Sequence, residues 1–276
     1  MHLSLACWSF PSLTLSEVAG VTRALGIGSI DVGIDGRSAL SRGAILADPQ
    51  RAAADLRTAV PDLSFANYYH RFGDGLAGRN LSDPESLDDN IRDLRQVMTF
   101  ADAAGIATVF VLPGIVNPGQ SRKDAAREGI RSLKALGEAA APFAARLCFE
   151  PHVQSWCESP ALAAQAAGES GVGLALDHAH FACLGWRQDE IDSLCAHAVH
   201  IHLRQARPGA LQAKFAQGTL NFPALFGALE DAGYTGALAL EVVHQDYMNT
   251  LGDDVMTETI ALRDAYRTWN KMKENG

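Results

Sequence analysis

The sequence predicts a single (β/α)8 TIM barrel, an α/β fold, over residues 1–276. Three observations carry that prediction. Apolar strand-like stretches alternate with helical ones along the whole chain, and such alternation argues for a parallel sheet flanked by helices. Eight such pairs fit into 276 residues, close to the ~250 typical of this barrel. No linker, charge block or break in composition divides the chain. An open doubly wound sheet is the alternative, but no GxGxxG follows the first strand to support a dinucleotide fold.

The elements follow in order. Residues 3–10 read as strand one. Thr14 opens a helix over 15–25, with Glu17 three residues later as in a capping box, and Gly26 and Gly28 end it. SIDVGI, 29–34, is strand two, and 49–59 is helical; helix signals over 37–48 are thin. LSFANYY, 63–69, is strand three and runs into His70. The glycine-bearing loop 71–80 is of a length more often functional than merely connecting. A helix over 84–104 carries Leu87, Ile91, Leu94, Val97 and Met98 on one face. ATVFVL, 107–112, is strand four, closed by Pro113 and Gly114, and 123–145 is the next helix. Strand five covers 146–150, a helix 160–167, strand six 172–177 and a short helix 188–196. Strand seven is VHIHLRQAR, 199–207, where Val199, Ile201 and Leu203 alternate with His200, His202 and Arg204. A helix over 222–232, strand eight over 237–243 and a last helix over 254–272 complete the series.

Composition narrows the function classes. The net charge of -9 argues against nucleic acid as a partner, since a chain that grips a phosphate backbone needs a basic face. No window is apolar enough for a membrane span, and the N-terminus lacks the pattern of a signal peptide. Five cysteines, an odd number without CxxC, read as reduced thiols in the cytoplasm.

Four consecutive strands, five to eight, end in Glu150, Asp177, His202 and Glu241. In a barrel, chemistry sits at the C-terminal strand ends, so these four side chains should converge at the mouth. Alternation turns Cys148, Ala175, His200 and Ala239 to the axis with them. Three carboxylates gathered there would raise one another's pKa, and one divalent metal ion removes that cost. The oxygen-rich donor set favours Mn2+ or Mg2+ over Co2+ or Zn2+. A charged network without metal is the plainer alternative. Asn67, Tyr68 and His70, at the end of strand three, are expected on the substrate side. Arg204, Arg207, Gln212 and Lys214 are expected to clamp a phosphate or carboxylate, against the alternative of a solvated basic loop. His152 and His244 lie just past two of the predicted ligands, with no role beyond supporting them.

The stretches CFEPHVQSWCESP, LALDHAHF, VHIHLRQARPG and GTLNFPALFGALEDAGYTGALALE span the C-terminal half in consistent order. On them the chain resembles the xylose-isomerase-like sugar phosphate isomerase/epimerase superfamily, which includes ketose epimerases, inosose dehydratase and abasic-site endonucleases. The resemblance implies that Glu150, Asp177, His202 and Glu241 hold the metal and that His180 points at the substrate. It further implies that Glu150 and Glu241 move protons to and from a small sugar, sugar phosphate or hydroxy-keto acid through an enediolate. A homo-oligomer is expected on resemblance alone. Departures lie at Gln205, Gln217 and Asn221, where many relatives carry acids. The competing functions are a dehydratase or lyase, a DNA-repair endonuclease and a non-catalytic sugar-binding barrel.

Overall fold

In the computed structural model, which describes residues 1–243 and 254–274, eight parallel strands close into a barrel in chain order. They are β1 (His2–Ala6), β2 (Ser29–Val32), β3 (Ser64–His70), β4 (Ile106–Val111), β5 (Arg146–Phe149), β6 (Gly173–Asp177), β7 (Ala198–Leu203) and β8 (Ala237–Leu240). Around them run α1 (Leu15–Ala24), α2 (Arg42–Ala47), α3 (Pro49–Ala59), α4 (Leu87–Ala104) and α5 (Arg122–Ala140). The series continues with α6 (Pro160–Ser170), α7 (His178–Cys183), α8 (Gln188–Asp192), α9 (Phe222–Asp231) and α10 (Val255–Glu274). His244 lies outside the described residues. No helix among the described residues is long and apolar enough to cross a membrane.

Local chemistry explains where the helices begin. The Glu17 carboxylate accepts the Thr14 N–H at 2.7 Å, ahead of α1. The side chains of Ser41, Asp48, Ser121, Ser159 and Asn221 accept N–H bonds in the first turns of α2, α3, α5, α6 and α9. α4 and α6 end at Gly105 and Gly171, both in the left-handed region that glycine enters without penalty.

Several boundaries differ from expectation. The first strand stops at Ala6, and Cys7–Ser9 form a 3-10 turn that brings Trp8 to the barrel mouth. Strand seven ends at Leu203 rather than at 207: Arg207 sits in a turn, where its N–H bonds Ala210 O. The helix expected over 123–145 stops at Ala140. The one expected over 188–196 divides into α8 and a 3-10 turn, Ser193–His197. α2 fills the stretch with thin helix signals. α7 was not expected; Asp177 starts it by accepting the Ala179 N–H at 2.9 Å.

Closure and register place the site. β1 pairs with β8, Leu5 opposite Leu240. Asp177 lies opposite His202, and His202 opposite Ala239. Glu150 N–H bonds Val111 O and Glu241 N–H bonds Leu203 O, so each carboxylate is carried one step beyond its strand, still anchored to the sheet. The space between sheet and helices is apolar, filled by side chains such as Leu94, Val97, Phe100, Leu133, Leu174, Ile201 and Phe226. The barrel interior below the mouth is instead polar. Ser4 Oγ donates to Asp31, and Asp31 Oδ2 meets His200 Nε2 at 2.6 Å across the barrel, all three buried. Buried polar groups persist only when partnered, and this chain of contacts partners them.

Candidate active site

At the C-terminal mouth, Glu150 Oε1 lies 2.6 Å from His202 Nδ1, and Glu241 Oε2 lies 3.3 Å from the same nitrogen. The three donor atoms fall within 4.8 Å of one another, and all three residues are buried. Trp8 Nε1–H donates to Glu241 Oε1 at 2.7 Å and fixes the orientation of that carboxylate. Asp177, the fourth residue expected there, stands beside the group but does not join it. Its Oδ2 accepts the Arg204 Nε–H at 2.8 Å and lies 2.5 Å from Arg204 Nη2 in an ion pair. His180 sits behind the guanidinium, its Nε2 3.0 Å from Arg204 Nη2 and 3.8 Å from Glu150 Oε2.

Burial and neighbouring charge set the protonation states. Burial pushes the Glu150 carboxyl up to about 7, outweighing the His202 imidazole beside it. Burial works the same way on Glu241, but Arg204 and His202 outweigh it and hold that carboxyl below its ordinary value. Burial alone would lower His202; Glu241 and Glu150 reverse this and raise it to about 10. His180 is driven well below its ordinary value by burial, then by His152 and Arg204, and is neutral.

A divalent cation fits this donor set. Glu241 Oε2 is buried without a hydrogen-bond partner, aimed at the point where Glu150 Oε1 and His202 Nδ1 meet. With its pKa raised by the two carboxylates, His202 holds a proton that an ion would displace. Two carboxylate oxygens and an imidazole nitrogen suit Mn2+, Mg2+, Co2+ or Zn2+, and loading would release that proton.

The group opens on a cavity of about 720 Å3, to which Glu150, Glu241, Arg204 and His152 contribute. Trp8, Tyr69 and Phe110 form an aromatic wall, and Tyr69 stacks on Phe110 with ring centroids 4.5 Å apart. The loop after β3 supplies Asp74, Gly75, Leu76 and Ala77, while Arg71 and Arg122 stand at the rim.

Four residues expected on the substrate side, Asn67, Tyr68, His70 and Arg207, are elsewhere. Asn67 faces the axis one layer down, its Oδ1 2.8 Å from Thr108 Oγ1. His70 is on the outer face of β3, packed between Tyr68 and Phe72, with both ring nitrogens buried and unpartnered. Arg207 is exposed in its turn. Alternation explains the first three, because Tyr69 shares the axial face with Asn67 whereas His70 shares the outer face with Tyr68. From the sequence Trp8 is weighed as an apolar wall against a core or surface role, and it lines the cavity; Tyr69, Arg71 and Arg122 were not singled out. Tyr69 was recoverable from strand parity; the others sit on irregular backbone that no periodicity reports.

Residues 21–265 match the model of the xylose isomerase-like TIM barrel family. No curated protein matches the chain in sequence. Among solved structures, the chain is similar to a D-psicose 3-epimerase with D-tagatose from Clostridium cellulolyticum, at TM-score 0.74 and 13% identity, covering 97% of this chain and 99% of that one. It is similar to an IOLI protein with a bound zinc atom, at TM-score 0.73 and 15% identity over 98% of each chain. A xylose isomerase-like TIM barrel protein from Mycobacterium smegmatis in complex with magnesium gives TM-score 0.71 and 14% identity over 97% of each chain. At these identities the likeness is one of fold.

Proposed function

The chain belongs to the xylose isomerase-like TIM barrel family, and from that premise we propose that it is a divalent-metal-dependent isomerase or epimerase of a small sugar, sugar phosphate or hydroxy-keto acid. One observation carries the reading: two buried carboxylates, Glu150 and Glu241, meet at one nitrogen of His202 on the wall of a cavity large enough for such a substrate. The reported neighbours with D-tagatose, zinc and magnesium support the substrate class and the metal.

Glu150, His202 and Glu241 would hold the cation, which when bound supplies Lewis-acid polarisation of the substrate carbonyl. The two carboxylates do the proton work. One removes the proton from the carbon beside the carbonyl and the other returns it, on the neighbouring carbon or the opposite face. Their environments already push their pKa values apart, Glu150 up and Glu241 down, as an acid and base pair requires. Trp8 keeps Glu241 from turning away. The wall of Trp8, Tyr69 and Phe110 excludes water from the reacting carbon and offers apolar area to a sugar ring face. Five buried, unpaired cysteines agree with a reducing cytoplasm.

The test is solvent exchange. Metal-loaded protein is incubated in D2O with a panel of ketoses, aldoses and their phosphates. Deuterium enters the carbon beside the carbonyl, and Glu150→Gln or Glu241→Gln slows this by about 10^2 to 10^4. A keto-deoxy product in place of exchange would move the assignment to a dehydratase. No exchange on any member of the panel would sink it.

A further inference from the structure

The family's four strand-end residues are not equivalent in this chain. We propose that Arg204 is a resident cation that withdraws Asp177 from the ion site, so that a divalent ion rests on Glu150, His202 and Glu241 alone. This deepens the function proposed above and rests on it for the presence of an ion.

The geometry of Asp177 carries the inference. Arg204 Nε–H donates to Asp177 Oδ2 at 2.8 Å, and Nη2 of the same guanidinium forms an ion pair with that oxygen at 2.5 Å. The other oxygen, Oδ1, accepts the Ala179 N–H at 2.9 Å and starts α7. Asp177 is therefore held from two sides, by the sheet neighbour two residues past His202 and by the backbone of its own helix.

The position of the guanidinium agrees. Nη2 lies 3.9 Å from Glu241 Oε2 and 3.0 Å from His180 Nε2, so it stands between Asp177 and the three-donor group. Arg204 and Asp177 are buried at 5% and 1% exposure. For Asp177 to turn towards an ion, Arg204 would have to give up its closest partner inside the protein, and an uncompensated buried charge is strongly unfavourable. Charge also balances. Three carboxylates are matched by one guanidinium and one divalent ion with His202 neutral, so no further ligand charge is needed. A guanidinium suits this task better than an ammonium, because it cannot lose its proton and its planar fork holds a fixed bearing on the carboxylate.

Titration calorimetry of metal-free protein with Mn2+, with thermal unfolding alongside, tests it on Asp177→Asn, Glu241→Gln, Arg204→Met and the Asp177→Asn/Arg204→Met double variant. Asp177→Asn keeps the shape of the side chain and the oxygen that starts α7. It removes a nearby negative charge but no ligand, so its binding weakens by no more than about tenfold, whereas Glu241→Gln, which removes a ligand, weakens binding by about 100-fold or more. Arg204→Met frees Asp177 and removes a nearby positive charge, so it tightens binding about tenfold or more, and the double variant abolishes that gain. A loss in Asp177→Asn as large as that in Glu241→Gln, or no gain in Arg204→Met, overturns the proposal. If wild type binds no Mn2+ but Arg204→Met does, the metal-dependent function and the three-donor ion site fall, and only the withdrawal of Asp177 by Arg204 stands. If neither binds, both fall.

Discussion

His70 shows what burial does to a single imidazole. Burial, then the charges of Arg42 and Arg79, lowers it from 6.5 to about 3, and neither ring nitrogen has a partner. The folded state therefore refuses a proton that the unfolded chain accepts below about 6.5. Stability is fully present above that value and declines as pH falls towards the folded value. His70→Phe removes the titration, so denaturant unfolding of the variant should depend less on pH between 6.5 and 4 than that of wild type; equal slopes would refute the assignment. At this scale the sequence was legible where a charged residue closes an apolar run, as at Glu150 and Glu241. It was misleading for His70, because being at the end of a strand does not say which face a side chain takes. Arg204 was read as a clamp for a substrate anion, and the anion it meets is Asp177. Periodicity gave its face correctly but could not give its partner, which lies on another strand.

Elements in this barrel are fitted to one another at points where side chains are absent. On α5, a Cβ at Gly129 would come 2.4 Å from the Trp156 indole, which is held by its Nε1–H bond to Pro113 O at 2.7 Å. The ring cannot retreat without losing that bond. Gly129→Ala should cost about 1–3 kcal/mol in denaturant unfolding while leaving Mn2+ affinity unchanged, since Trp156 touches none of the three donors; an unchanged midpoint would show that α5 shifts freely. The loop after β3 is folded by a similar approach, with a Cβ at Gly73 falling 2.5 Å from the Gly78 backbone. The long helices α4 and α5 were readable because their apolar stripes repeat with the helical period. α7 was not, because six residues are too few to show a period, and a cap contact with Asp177 rather than a stripe fixes its start. The same limit hid the 3-10 turn that carries Trp8.

For the whole molecule, strand–helix alternation fits both an open sheet and a closed barrel; the pairing of β1 with β8 decides between them. Closure is what gathers residues from β5 to β8 at one mouth, and it also makes the barrel interior a place where Asp31 and His200 can meet from opposite sides. The proposed ion site is thus a property of the closed fold, assembled from residues far apart in the chain, and an ion that binds only the folded state would stabilise it. The most direct measurement is the metal content of the purified protein after incubation with Mn2+, Mg2+, Co2+ or Zn2+ and removal of the excess, with Glu241→Gln treated in parallel. The predicted result is about one divalent ion per chain in wild type, lost in the variant. Wild-type protein that retains none of the four ions would contradict the account and leave Glu150, His202 and Glu241 a charged network without chemistry.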